Sequence, residues 1–250
     1  MTNRPQIIAH RGSSYARREN TMSAFEQAIA DGADGIEFDL RLSRDRRWVV
    51  HHDKDMAIEG TRRLIAELTA NEIQQATRSD NDRVPLLTEF LEWARTRNVA
   101  LLFDIKDTDG IAELTAEVGQ FRFDCPVVFS SFRRPAIQEI ASRRPEWRTA
   151  LIVGDPKLGA ARRLLLGPIL RWALQNKLTA LSMAERWVKP SIVAEIKGRG
   201  LDLAIWTVDL PDRIAMLSVL GVDAIITNCP SLGRKIVDGI STRTEVVTPE

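Results

Sequence analysis

Glu37 and Asp39 stand two residues apart in the stretch GIEFDLRLSRDRRWVVHHD, residues 35–53. On a β-strand they project to one side, while Ile36, Phe38 and Leu40 project to the other. An unpaired carboxylate inside a protein costs several kcal/mol, roughly, so two on one face call for a cation or a polar cavity. The pattern predicts a strand over 35–41, a tight turn centred on Asp45-Arg46, and a returning strand over 48–52. With that turn, Asp39 lies opposite His52, and His51 points to the other face by strand alternation. Hard oxygen ligands beside an imidazole are the parts of a metal-assisted hydrolytic site.

Other chemistry-bearing residues end other apolar runs. His10-Arg11 follows the strand-like IIAH, and Asp104 and Lys106 close VALLFDIK two residues apart on one face. Ser130-Ser131 closes VVFSS, and Trp206 closes DLAIW. All three histidines of the chain, His10, His51 and His52, fall in this set. Each has a plainer reading: Arg11 paired with Glu19, Asp104 paired with Lys106, the serines as strand-end hydroxyls, Trp206 as core. Glu37 and Asp39 could pair with Arg41, Arg44, Arg46 or Arg47. Their gathering at strand ends is what the plain readings leave unexplained. Three carboxylates make an oxygen-only site that favours Mg²⁺, Ca²⁺ or Mn²⁺ over zinc. Arg11 and Lys106 add cationic donors for an anion such as phosphate. Two histidines can divide general acid and general base. Together these parts suit phosphodiester cleavage. No G-x-S-x-G elbow is present for acyl transfer.

The elements that must position these residues follow a regular rhythm. Strand 6–10 precedes a helix over 21–31, with Asn20 as its N-cap and Gly32 as its stop. After strand 35–41 and its hairpin return, residues 54–84 are polar and weakly patterned, and read as an insertion. Helix 88–97 precedes strand 99–106. Then come helix 111–120, strand 127–130, helix 135–143, strand 149–153, a long helical region over 158–176 and strand 179–182. Helix 190–199, strand 202–206, helix 211–220, strand 224–227 and a last helix from about Ser231 complete the series. Eight mostly apolar strands, each followed by a helix, imply a parallel sheet. In 250 residues they fit a single-domain (β/α)₈ TIM barrel, with its active site at the C-terminal strand ends. The competing open, doubly wound sheet lacks the Gly-rich turn of a dinucleotide site after the first strand.

The totals agree with a compact enzyme. Thirty-five basic and 34 acidic side chains leave a net charge of +1, which gives no reason to expect nucleic acid as partner. Cys125 and Cys229, far apart in sequence, are read as two buried reduced thiols. The N-terminus shows no apolar leader, and no run is long enough to span a membrane, so cytoplasm is the default expectation.

The segment AHRGSSYARRENTMSAFEQAIADGADGIEFDLRLSRDRRWVVHHD resembles the N-terminal signature of glycerophosphodiester phosphodiesterases. The HRG, ENT, GAD.IE.D and VV.HD elements occur in order, and VPLLTEFLEW, LLFDIK, VVFSSF, IWTVD and GVDAIITNCP extend the likeness from about residue 7 to 231. The resemblance implies a barrel with an insertion after its second strand, and divalent-cation-dependent hydrolysis of glycerophosphodiesters to an alcohol and glycerol 3-phosphate. It implies His10 and His52 as the acid–base pair, Glu37, Asp39 and Asp104 as metal ligands, Arg11 and Lys106 as phosphate contacts, and Trp206 beside the glycerol. Four departures stand out: Asp104 replaces the usual Glu, Arg18 the usual Pro, Arg46 the Gly of the turn, and Asn228 a commoner Asp. The expected partner is a small molecule, with no nucleic acid and no integral membrane segment. Two alternatives remain. One is a related barrel acting on lysophospholipids at a membrane surface through the Arg-studded apolar region 158–176, whose plainer reading is an outer helix broken at Gly167-Pro168. The other is a non-catalytic phosphodiester-binding barrel.

Overall fold

A computed structural model describes residues 4–77, 83–154 and 162–245. The side chains of 162–164 and 241–245 are not described. The first strand, β1, is Gln6–His10, and α1 is Met22–Ala30. The carboxylate strand β2 is Gly35–Leu42 and its return β3 is Trp48–Val50. A second hairpin, β4 (Asp55–Ile58) and β5 (Thr61–Leu64), leads through a 3₁₀ turn to α2 (Ala70–Ala76) and α3 (Leu87–Ala94). From there strands and helices alternate: β6 (Ala100–Ile105), α4 (Ile111–Val118), β7 (Val127–Ser131), α5 (Arg134–Arg143), β8 (Arg148–Val153) and α6 (Arg162–Gln175). The series ends with β9 (Ala180–Ala184), α7 (Pro190–Lys197), β10 (Asp202–Trp206), α8 (Pro211–Val219), β11 (Ala224–Thr227) and α9 (Pro230–Glu245).

The parallel strands run in the order β1-β11-β10-β9-β8-β7-β6-β2, and β2 pairs back onto β1, so the sheet closes on itself as an eight-stranded barrel. Strand β3 lies outside that ring, antiparallel to β2. Most barrel strands are buried on both faces, as ALLFDI of β6 is throughout. That is why they read as apolar runs rather than as alternating ones. Outward-facing rings from β2, β6 and β7 meet the helices in a connected aromatic layer. Phe38 lies 4.2 Å from Phe90 and 4.6 Å from Phe103, and Phe103 lies 4.5 Å from Phe129. Inside, Ile8, Leu102, Ala224 and Ile226 form a separate apolar cluster. Gly35 is required there, because a Cβ on it would meet the Ile8 side chain at 2.6 Å.

Local details depart from the sequence reading in four places. Helix α1 is capped by Thr21, whose hydroxyl accepts the Ala24 N–H, and not by Asn20. Asn20 is drawn away by Asp39 instead. The β2–β3 turn is one residue longer than expected: Arg46 donates its N–H to the Ser43 carbonyl at 3.0 Å and sits at φ 58°. A three-residue loop of this kind ends in a left-handed residue, and it shifts the register by one. Leu40 faces Val50 and the His51 N–H reaches the Asp39 carbonyl at 3.1 Å, so Asp39 lies opposite His51 rather than His52. Helix α6 is not broken at Gly167-Pro168 but runs through Pro168; residues 158–161 of the expected region lie outside the described residues. Finally, Cys125 and Cys229 are free thiols, as expected, but only half-buried.

Residues 54–77 are better ordered than their polarity implies. Met56, Ile65, Leu68, Ala70 and Ile73 pack with Val49 and Val84 in a small core of their own. Asp45 ties that unit to the β2–β3 turn by accepting the Ser43 hydroxyl at 2.7 Å and the Ala70 N–H at 2.9 Å. Among the described residues, no helix is long and apolar enough to cross a membrane.

Candidate active site

Barrel register sets the site residues side by side. His10 is level with Glu37, Asp39 with Asp104, and Asp104 with Ser130. One cavity is lined by His10, Arg11, Glu37, His52, Asp104, Lys106, Ser130 and Trp206, with Leu102, Phe132, Ile152, Ser182 and Ile226 on its remaining walls. Of the residues expected at the site, only Asp39 is absent from the lining. It lies beneath, with 0 % of its surface exposed.

Glu37, Asp39 and Asp104 each offer an oxygen to a common centre, the three atoms lying within 4.8 Å of one another. Two cations accompany them. Lys106 Nζ stands between two carboxylates, 2.7 Å from Asp39 and 2.5 Å from Asp104. Arg11 Nε is 3.0 Å from Asp39, while its Nη1 engages Glu19 at 2.9 Å. The plainer readings of Arg11 and Lys106 as ion-pair partners therefore also hold. None of Arg41, Arg44 and Arg46 pairs with the cluster: they engage Asp107, Glu72 and Glu113. Asn20 completes the cradle, donating its amide to Asp39 Oδ2 at 2.8 Å and accepting the Asp39 N–H at 3.3 Å.

Three carboxyls face two cations, so ionising all three would leave one negative charge in excess. Burial opposes ionisation of Asp39, but Lys106 and Arg11 outweigh it and hold that carboxyl below its usual range. Burial, then the neighbouring Asp39 and Asp104, push Glu37 well up. Burial likewise raises Asp104 to about 6, against the opposing pull of Lys106. Asp104 Oδ1 is buried and accepts no hydrogen bond. A buried acceptor without a donor, within a trio of hard oxygens whose ionisation is held back by burial and mutual repulsion, is what a divalent cation would satisfy. The residues present fit such an ion.

The two cavity histidines are held differently. His10 is at the end of β1, and burial, followed by the Arg11 charge, lowers its pKa. Its Nδ1 lies 2.7 Å from Asn228 Oδ1. His52 stands beyond the end of β3, where the chain has left the sheet, so strand alternation no longer governs it. The Arg41 guanidinium holds the His52 carbonyl at 3.0 Å, and Asp53 Oδ1 lies 2.9 Å from His52 Nδ1. His51 does not line the cavity; burial lowers its pKa too.

Ser130 and Ser131 donate to the carbonyls of Phe103 and Ile105, which is the strand-end role. Trp206 is half-buried and meets Phe132 edge-to-face at 5.6 Å. These two rings, with Leu102, Ile152 and Ile226, make up the cavity's apolar wall. Of that wall, sequence reasoning named only Trp206, and it missed Asn20. Asn20 carried a signal, since it sits in the ENT element, but a cap is the commoner role for asparagine before a helix.

Tight backbone approach helps to place Arg11. Gly12 has φ 82°, and a Cβ on it would meet the backbone of Ala24 at 2.7 Å. The loop after β1 thus lies directly on α1, which leaves the Arg11 N–H to reach Glu37 Oε2 at 3.0 Å.

A sequence model of the Glycerophosphoryl diester phosphodiesterase family matches residues 10–232. A glycerophosphodiester phosphodiesterase of Caldanaerobacter subterraneus is 28% identical over 244 residues, covering 90% of this chain and 94% of that protein. Among solved structures, a phosphodiesterase of Oleispira antarctica in complex with the product sn-glycerol-3-phosphate superposes with a TM-score of 0.82 at 23% identity, covering 94% of this chain and 97% of that one. A glycerophosphodiester phosphodiesterase of Parabacteroides distasonis superposes with a TM-score of 0.82 at 24% identity, covering 96% of this chain and all of the other (100%).

Proposed function

Because the chain belongs to the glycerophosphoryl diester phosphodiesterase family, we propose that it hydrolyses glycerophosphodiesters to an alcohol and glycerol 3-phosphate with the help of a divalent cation. The observation that carries this reading is the buried trio Glu37, Asp39 and Asp104 in one cavity system with His10, His52 and two cations. The product bound in the Oleispira antarctica neighbour supports a glycerol phosphate as the recognised part.

Glu37, Asp39 and Asp104 would hold the cation, with Mg²⁺, Ca²⁺ and Mn²⁺ as the candidates. When bound, it would draw negative charge from a phosphoryl oxygen. Arg11 and Lys106 supply positive charge toward the same oxygens, already fixed in place by Asp39 and so requiring little rearrangement. One of His10 and His52 takes the proton of the attacking hydroxyl, either water, which yields glycerol 3-phosphate directly, or the substrate's own 2-hydroxyl, which yields a cyclic phosphate that water then opens. The other returns a proton to the leaving alkoxide. Trp206 and the apolar wall would receive the carbon face of glycerol, which has no hydrogen bonds to offer.

A second reading, action on lysophospholipids, draws support from Tyr15, Phe132 and Leu210, exposed large apolar side chains on loops that follow β1, β7 and β10. Helix α6, the segment first considered for a membrane role, supports it less. Its Trp172 is packed against the core and lies under the Arg134 guanidinium at 4.9 Å.

The test is release of glycerol 3-phosphate from choline, ethanolamine, glycerol and inositol diesters, and of an acylglycerol phosphate from a lysophospholipid, each with Mg²⁺, Ca²⁺, Mn²⁺ or EDTA. Metal-dependent turnover of any water-soluble diester bears out the main reading. Turnover of the lysophospholipid alone favours the second, and none with any metal sinks both.

A further inference from the structure

His10 lines the cavity, while the two side chains that hold its Nδ1 from behind, Asn228 and Asp209, do not. Asp209 Oδ1 accepts the Asn228 backbone N–H at 2.8 Å and the Thr227 hydroxyl at 2.9 Å. Its Oδ2 faces the Asn228 side chain at 2.7 Å. A carboxylate offers only acceptors there, so Asn228 must turn its NH₂ toward Asp209 and its carbonyl oxygen the other way. On that side the oxygen takes the Ser14 hydroxyl at 2.7 Å and faces His10 Nδ1 at 2.7 Å. An amide oxygen has no proton to give, so Nδ1 must be the donor. A neutral imidazole with its proton on Nδ1 carries its lone pair on Nε2.

We infer that Asn228, locked in orientation by Asp209, is a positioning residue that fixes the Nδ1–H tautomer of His10 and makes Nε2 the atom that exchanges a proton with substrate. The turn itself does not depend on the Asn228 amide. Its backbone is held separately, by Asp209 at the N–H and by the Tyr15 N–H at the carbonyl, 3.3 Å away. The catalytic half of this inference rests on the reading of His10 as an acid–base group; the tautomer half does not.

The test is long-range ¹H–¹⁵N NMR of protein labelled at the imidazole nitrogens, recorded near pH 8, roughly, where unperturbed histidines are neutral. With three histidines in the chain the spectrum is simple to assign. His10 is expected to show a protonated Nδ1 and a bare Nε2. Asn228→Leu should move His10 toward the Nε2–H form and lower kcat by roughly 10²-fold or more, with KM little changed. Asp209→Asn presents an NH₂ where the Asn228 side chain now finds an acceptor, so it should turn the Asn228 amide over and shift His10 the same way. An Nε2–H signal for His10 in the parent, or an unchanged Nδ1–H form in Asn228→Leu, overturns the inference. A changed tautomer with unchanged kcat overturns its catalytic half and, separately, the role given to His10.

Discussion

Single residues carry the sharpest expectations. His10→Ala and His52→Ala should each lower kcat by about 10²- to 10⁴-fold, the usual worth of a general acid or base, with the thermal transition close to that of the parent. Near-normal kcat in either variant would remove that histidine from the chemistry. The carboxylates would make the proposed cation binding depend on pH. Glu37 and Asp104 are raised, Asp104 to about 6, so in the metal-free protein they retain protons to higher pH than in the unfolded chain. The stability they contribute is therefore present below the ordinary carboxyl range and lost as pH rises through about 6. A cation must displace those protons, so its affinity should increase, and its thermal stabilisation should grow, between about pH 5.5 and 7.5. Calorimetry in buffers of different ionisation heat reads the released proton directly. Uptake of metal with no proton release would show that these carboxyls are already ionised.

At the scale of the element, the β2–β3 hairpin shows what was legible and what was not. Carboxylates two apart on an otherwise apolar strand marked the site without any structure, because burial leaves few other uses for such a pair. The register was misread by one residue, since a two-residue type I′ turn would need Asp45 left-handed as well as Arg46, and only Arg46 is. No side-chain pattern in RLSRDRRWVV decides that. Arg46→Gly removes the cost of a side chain at φ 58°, about 1 kcal/mol, and forfeits an exposed ion pair to Glu113 worth less than that. We expect the melting temperature to rise by roughly 1–3 °C; a fall would show that the Glu113 contact outweighs the relieved backbone. Phe38→Ala on the same strand should cost about 3–5 kcal/mol, measured by denaturant titration, because it opens a hole where four aromatic rings meet.

For the whole molecule, the alternation of strand and helix made the barrel readable. Parallel strands buried on both faces have to be apolar almost throughout, so the polar exceptions, Glu37, Asp39 and Asp104, stood out. The parts that were hard to read join distant segments. Asn20 serves a strand after the helix it was expected to cap, and the apolar wall collects Leu102, Phe132, Ile152 and Ile226 from four different units. Side chains of ordinary type that meet only when the ring closes leave no local trace in a sequence.

That closure also sets an order of assembly. All three oxygen donors lie between residues 37 and 104, on the adjacent strands β2 and β6. His10 depends on Asn228, 218 positions further along, and on β11 seating beside β1. A chain still emerging from the ribosome thus makes every carboxylate of the trio before it makes the residue that supports its histidine. We expect refolding to develop hydrolytic activity in step with docking of β11, followed by hydrogen-exchange labelling of Ile225 and Ile226. Activity that preceded protection of those amides would contradict this order. The closing seam would then work as a timing device, keeping a nascent chain from acting on phosphodiesters until its last strand is in place.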